Sequence, residues 1–423
     1  MKKANLVLMA ALAAAGAIGV TGGALVPTVV MADDAAKPAP APKLSPKIIP
    51  PLKAVQEATT AKNWDAAYAA VQQAQAVEPK TPYDAYMLDE LSWYVLYERK
   101  DLEGAAATLE RAVNSPFVPP ADATARLKPL AQIYAEGKNY TKAAEYGTKY
   151  LAASPNDTNM AIMVTQSYYL LKDYPNTRAT AEKYAAATKP PNEQLLRLAL
   201  ASSVELKDRA GVMKNLETLV RYYPSQKYWE DLLTNQLYET KGDREMRTLY
   251  RLMEQTNTLD KGDEYSEFAT ALLAGGYPGE AQKVLEGAMA ANAFTGDTKA
   301  REQGDLDKAR SQAATDRKDL PNAEKALAAA KTGNEMVATG KLYFSAGEYA
   351  KAADAIQKGL AKGGVTDTDD ANALLGVAQV RAGNPAAARP AFEAVKDAKY
   401  ASVTRLWLLY LDTSATPAAA ATG

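Results

Sequence analysis

Side chains that trade protons, attack carbonyls or hold metals are the first to look for, and this sequence lacks two of the most versatile: it has no His and no Cys. Thiol nucleophiles, Ser-His-Asp triads, imidazole bases and nearly all zinc or haem ligation go with them. Carboxylate and lysine chemistry remain. A carboxylate enzyme, such as a glycan-active helical fold, needs two acids facing each other across a groove. No Asp or Glu pair stands out from ordinary solvated helix faces. Asp367-Thr368-Asp369-Asp370 has the look of a calcium loop, but Gly and Glu are needed at the sixth and twelfth places, where Asn372 and Ala378 stand. Helix N-capping is the expected role. Gly340-Lys341 offers a fragment of a phosphate loop, yet Gly333 is misspaced and Leu342 occupies the place of the magnesium-binding hydroxyl. Gly340 is expected to be a packing glycine. Asn156-Asp157-Thr158 matches a glycosylation sequon, a pattern frequent by chance. No catalytic residue, cofactor or metal is expected.

The 423 residues carry 49 Lys plus Arg against 50 Asp plus Glu, so no basic field would gather nucleic acid. At the N-terminus, Lys2 and Lys3 precede an uncharged apolar run from Leu6 to Val20, then small residues and Val30-Met31-Ala32 before Asp33. This is the pattern of a secretory signal peptide (1–32) cut after Ala32. Gly16, Gly19, Gly22, Gly23 and Pro27 argue against an uncleaved spanning anchor. An Ala/Pro-rich linker (33–47) follows, expected to be extended. The expected location is periplasmic.

Beyond the linker, amphipathic segments of about a dozen residues alternate with short turns, and strong helix formers dominate. A triad recurs: a small residue, a large apolar residue four later, and a third residue three after that, all on one helical face. It reads Ala67-Val71-Ala74, Ala105-Leu109-Ala112, Ala143-Gly147-Tyr150, Thr177-Ala181-Tyr184, Val212-Leu216-Leu219, Met246-Tyr250-Met253, Ala281-Leu285-Ala288, Ala352-Ile356-Gly359 and Ala388-Phe392-Val395. Successive first positions are 38, 38, 34, 35, 34 and 35 apart as far as Ala281, and 36 apart from Ala352 to Ala388. The 71-residue gap between Ala281 and Ala352 leaves room for one more unit. Its helices are expected at about Asp297 to Asp316, unusually polar, and Leu320 to Lys331, with Ala323, Leu327 and Ala330 on one face. Preceding first helices carry a small residue where two helices approach closely: Leu130-Ala131 with Tyr134, Phe268-Ala269 with Leu272, Thr339-Gly340 with Tyr343, Leu375-Gly376 with Gln379. Trp64, Trp93, Trp229, Trp407, Tyr134 and Tyr168 are expected to pack between helices.

A period near ~34 residues, with these small and bulky positions, resembles the tetratricopeptide repeat family from about Pro50 to Asp397. The resemblance implies an all-α solenoid, a right-handed superhelix of about ten helix pairs. The layout is then about seven repeats over 48–292, a diverged polar helical unit over 293–333, two further units plus a capping helix over 334–412, and a disordered tail over 413–423. In that family the second, fifth, ninth and twelfth positions of first helices face a groove. Here they imply partner contacts at Glu90, Tyr94, Tyr97, Lys128, Gln132, Gln166, Tyr169, Gln194 and Arg197. A narrower similarity, to periplasmic repeat proteins that accompany TonB, ExbB and ExbD, rests on Leu44-Ser-Pro-Lys47, Tyr223-Pro224-Ser-Gln-Lys227-Tyr228-Trp229, and Tyr265 through Val284-Leu285-Glu286-Gly287-Ala288-Met289. It implies a non-enzymatic scaffold with a protein or peptide partner in the envelope, supporting TonB-dependent outer-membrane transport. The alternatives are an adaptor for envelope biogenesis or outer-membrane assembly, and the carboxylate enzyme above.

Overall fold

The computed structural model of the protein describes residues 42–414. The expected signal segment, residues 33–41 of the linker and the tail beyond Ser414 lie outside the described residues. The chain divides into two compact units, the first running to Lys207 and the second starting at Asp208. Among the described residues there are twenty helices and no strand. None of those helices is long and apolar enough to cross a membrane.

Unit 1 holds α1 (Ile49–Thr60), α2 (Trp64–Gln75), α3 (Pro82–Glu98), α4 (Leu102–Val113), α5 (Pro120–Glu136), α6 (Tyr140–Ala153), α7 (Thr158–Leu170), α8 (Tyr174–Ala185) and α9 (Glu193–Glu205). Each second helix starts in the same way. A lysine adopts the left-handed conformation (Lys62, Lys100, Lys138, Lys172). The next residue, Asn63, Asp101, Asn139 or Asp173, then accepts the backbone N–H three residues on. Reversal and cap together stop one helix and start its antiparallel neighbour within four residues.

Unit 2 holds α10 (Arg209–Tyr222), α11 (Gln226–Glu239), α12 (Asp243–Gln255), α13 (Gly262–Ala274), α14 (Pro278–Ala290), α15 (Gly296–Ala329), α16 (Gly333–Ser345), α17 (Tyr349–Lys362), α18 (Thr368–Arg381), α19 (Pro385–Glu393) and α20 (Ala398–Ser414). At three of its turns the left-handed residue is Gly276, Gly347 or Gly383.

The repeated triads form the cores: every one of their members is buried except Tyr150 and Met246. The close-approach glycines are equally real. A Cβ on Gly340 would sit 2.5 Å from the Ile356 side chain, and one on Gly376 would sit 2.4 Å from the Phe392 ring. Asp367 caps α18, accepting the Asp370 N–H. Of the expected packing aromatics, Trp229, Trp407 and Tyr134 are buried, whereas Trp64, Trp93 and Tyr168 stay partly exposed.

One expectation is corrected. The diverged unit is not a pair of helices at 297–316 and 320–331 but a single 34-residue helix, α15, with Pro321 inside it. At 1.5 Å per residue it spans roughly 50 Å. Glu302, Leu306, Ala309 and Ala313 anchor its first half on α14, and helix continues through the proline although Pro321 cannot donate to the preceding turn. Past α15 the chain doubles back: α16 packs on α14, α18 on α12, and α20 on both α10 and α12. Second helices of one array thereby cover first helices of the other.

Candidate partner-binding surfaces

The doubling back buries a dense charged cluster in unit 2. On α12, Arg247 and Arg251 stand four residues apart, Arg247 beside α18 and Arg251 beside α14. Arg251 donates from Nη2 and Nε to Glu280 on α14 at 2.7 and 3.0 Å. Arg381 of α18 donates at 2.7 Å to Glu280 Oε1, the oxygen that also accepts from Arg251 Nε, and at 2.6 Å to Glu254. Lys341 of α16 donates to Asp370 of α18 at 3.0 Å, with Arg247 3.7 Å from the same carboxylate. The Arg251 guanidinium lies between two rings, 4.6 Å from the centre of Tyr277 and 4.7 Å from that of Phe344. From α20, Tyr400 bonds Thr248 at 2.8 Å and Trp407 donates to the Thr248 carbonyl at 3.0 Å.

Electrostatics decide what this cluster can do. Burial alone would raise the Glu280 and Asp370 carboxyls, but Arg251 and Arg381 on one, Lys341 and Arg247 on the other, outweigh it and hold both below the usual range. Carboxylates kept ionised by guanidinium and ammonium groups are poor proton donors near neutral pH. They act as a clamp between the two arrays of unit 2, and the first-helix face of α16, α18 and α20 is internal.

None of this cluster is legible locally. Arg381 and Glu280 are 101 positions apart. Arg247 and Arg251, spaced i,i+4, look in sequence like a solvated face. The only hint is that α12 is charged on the side opposite Leu249, Tyr250 and Met253.

In unit 1 the residues implied as partner contacts lie on successive first helices. On α3, Glu90 is 5% exposed and gripped by Arg126 of α5, whose Nη2 and Nε donate at 2.6 and 2.8 Å, so its carboxylate is engaged within the chain. Lys128 donates to Asp157 at 2.7 Å and is likewise engaged. Tyr94 and Tyr97 stack with centroids 6.5 Å apart and remain partly exposed. Gln132, Gln166 and Tyr169 are partly exposed, and Gln194 and Arg197 are exposed. Burial first and the Glu136 carboxylate second push the Tyr97 hydroxyl up to about 12. Burial and Glu98 likewise raise Tyr94, and burial with Glu205 raises Tyr169. These hydroxyls stay protonated donors across the physiological range.

The geometry is that of a helix-hairpin repeat protein that presents side chains from one helix of each pair. Residues 94–158 in unit 1 and 337–402 in unit 2 match the family model of the tetratricopeptide repeat. Those stretches are similar to tetratricopeptide repeats, whose stacked helix pairs create extended concave surfaces. Similar solved structures include the Naa15/Naa10 complex bound to HypK-THB, at 14% identity and TM-score 0.39 over 86% of this chain and 64% of that one. Another is a tetratricopeptide repeat protein from Parabacteroides merdae ATCC 43184, at 12% identity and TM-score 0.31 over 79% of this chain and 100% of that one. The chain thus spans just under two thirds of the first of these. No curated protein sequence matches.

Proposed function

We propose that this chain is a non-enzymatic scaffold, exported to the periplasm, whose unit 1 first-helix face holds a protein partner and supports TonB-dependent transport across the outer membrane. The observation that carries the partner-binding part is the contrast between the units. In unit 2 the face of α16, α18 and α20 is covered by the chain's own helices and its charges are satisfied internally. In unit 1 the first helices keep tyrosine, glutamine and arginine side chains open to solvent. Tyr and Arg are favoured anchors at protein interfaces. Export is supported by the Lys2-Lys3 start, the apolar run and the Val30-Met31-Ala32 cut site, and the transport role by the segments around Ser45, Tyr228 and Tyr265.

Photo-crosslinking from Tyr97 and Arg197 in intact envelopes tests both parts. TonB, ExbB or ExbD joined to these positions supports the reading. Outer-membrane assembly components in their place would leave the adaptor and remove the transport role. The absence of any protein crosslink from either position would overturn the assignment of the face. N-terminal sequencing of the envelope protein should begin at Asp33, and a retained Met1 would overturn cleavage.

A further inference from the structure

Four aromatic rings of unit 1 form one contact network where α2 meets α3. Tyr94 lies 5.7 Å from Trp64, 5.5 Å from Trp93 and 6.5 Å from Tyr97, centre to centre. All four rings are partly exposed. The other networks of three or more rings among the described residues each hold a buried ring: Tyr86 beside Tyr83 and Phe117, Trp407 beside Phe392 and Tyr410, Phe344 beside Tyr277 and Tyr349. Tyr68, one turn after Trp64 on α2, extends the ridge and is covered by Arg99, 4.5 Å from its centre. The ridge holds two of the chain's four tryptophans, and the other two, Trp229 and Trp407, are buried. Large rings left half in water at this density mark a contact surface.

The chain carries an occupant for that surface close beside it. Lys37-Pro38-Ala39-Pro40-Ala41-Pro42-Lys43 leads into Leu44, which packs against the buried cluster of Leu52, Val71, Leu88 and Val95. Ser45 then fastens the leader to α3: its N–H donates to Asp84 Oδ1 at 2.9 Å and its hydroxyl to Oδ2 at 2.6 Å. Asp84 is buried in the first turn of the same helix whose last two turns bear Trp93, Tyr94 and Tyr97. Ten residues of helix separate Asp84 from Tyr94, roughly 15 Å. The six steps from Pro38 to Leu44 span roughly 19 Å as a polyproline helix, so the prolines reach the ridge and little further. Alternate prolines favour that extended form before any contact is made, and such segments dock on aromatic rings with little freedom left to lose. A tether this short keeps them at a high effective concentration, so modest ring contacts suffice.

We propose that Pro38 to Pro42 lie as an extended strand across Trp64, Trp93, Tyr94 and Tyr97, so that the chain's own leader occupies the ridge and a partner must displace it. Tyr94 and Tyr97 are two of the positions through which unit 1 is read to hold its partner. The occupancy itself stands apart from that reading, and the competition rests on it. The leader then acts as a threshold: only a segment that binds the rings better than a tethered proline strand gains this end of the face.

Acrylamide quenching of tryptophan fluorescence in the full chain beginning at Asp33 tests the occupancy. Trp229 and Trp407 are buried, so the readout belongs to Trp64 and Trp93. Pro38→Gly, Pro40→Gly and Pro42→Gly together should raise the quenching constant about twofold by freeing the leader from its extended form. Free peptide with the sequence of residues 36–43 should restore protection in that variant and add none to the unsubstituted chain. Circular dichroism melting confirms that each variant folds. Because the chain has no Cys, introduced pairs report proximity. Under mild oxidation, Ala39→Cys with Glu98→Cys, one turn past Tyr94, should form a disulfide about tenfold faster than Ala39→Cys with Gln73→Cys on the exposed side of α2. Equal quenching with and without the prolines, or equal rates in the two Cys pairs, would overturn the docking. Protection of the unsubstituted chain by free peptide would also overturn it, since the ridge would then be open to a proline-rich segment of another protein. If Tyr97 envelope crosslinks appear while quenching ignores the prolines, the scaffold stands and this inference falls. Proline-dependent quenching without any envelope crosslink keeps the leader on the ridge and removes the scaffold role.

Discussion

Arg251 and Glu280 meet through two hydrogen bonds of 2.7 and 3.0 Å in a place where both side chains are almost wholly removed from water. Taking two charges out of water is expensive, and only close geometry and further partners offset it. Here Arg381 supplies the further partner at 2.7 Å and two rings flank the guanidinium. The pair is therefore worth little as a net gain and a great deal as a specification. It joins α12 to α14 and, through Arg381, to α18, so only one alignment of the two arrays in unit 2 satisfies all three groups.

Glu280→Gln tests that dependence. It keeps the shape but leaves two buried guanidinium groups facing a neutral amide, and the cost of breaking a buried pair is about 3–5 kcal/mol. Urea titration should show a large fall in midpoint for unit 2. A loss under about 1 kcal/mol would mean that the groups are hydrated in solution and that the clamp is not closed.

Acid should loosen the same clamp. Glu280 and Asp370 are held below their ordinary values, so their folded-state proton affinity is lower than in the unfolded chain. The stability they contribute is complete above the unfolded carboxyl value of about 4 and is lost as pH falls through their folded values. Stability measured by urea midpoint should decline below about pH 4, and Asp370→Asn with Glu280→Gln should flatten that decline while lowering the neutral plateau. An unchanged acid slope in the double variant would assign acid sensitivity to other groups.

Much of the fold was legible because its signals are local. Triad spacing, the closely approached Gly340 and Gly376, and the Asp367 cap each depend on residues within one turn or one hairpin, which sequence reports directly. What escaped depends on distant chain segments. The polar stretch around Arg317-Lys318-Asp319 with Pro321 reads as a break because proline forfeits a helical hydrogen bond, yet α15 runs through it. Arg247 and Arg251 read as surface because nothing nearby says that α18 will cover them. In unit 1 the groove frame names Glu90 and Lys128 as contacts because nothing near them in sequence says that Arg126 and Asp157 will engage them within the chain.

Tyr277 offers a test of a different kind. Its ring is fully buried among Arg247, Arg251 and Lys341, and its hydroxyl has no hydrogen-bond partner among the described residues. An unsatisfied buried hydroxyl costs about 1–3 kcal/mol, whereas the ring itself supports the cations through its face. Tyr277→Phe keeps the ring and removes the burden, so thermal and urea unfolding should show equal or greater stability. Tyr277→Leu should lose stability with the cation contact. A marked loss in the Phe variant would reveal a partner for the hydroxyl.

The left-handed lysines of unit 1 give the last prediction. Lys62, Lys100, Lys138, Lys172 and Lys207 adopt φ of 53, 66, 59, 59 and 56°, where a side chain is crowded against its own carbonyl. Unit 2 places Gly276, Gly347 and Gly383 at its glycine turns, with φ of 79, 84 and 82°, and avoids that crowding. The strain is about 1 kcal/mol per residue, partly offset because glycine has more freedom to lose on folding. Lys138→Gly should therefore raise stability by a few tenths to about 1 kcal/mol, Lys138→Ala should leave it unchanged, and Gly347→Lys should lower it. The three variants share one backbone position type, so the ordering is informative even where each effect is small. If Lys138→Gly and Lys138→Ala melt alike, the left-handed turn is not strained in solution.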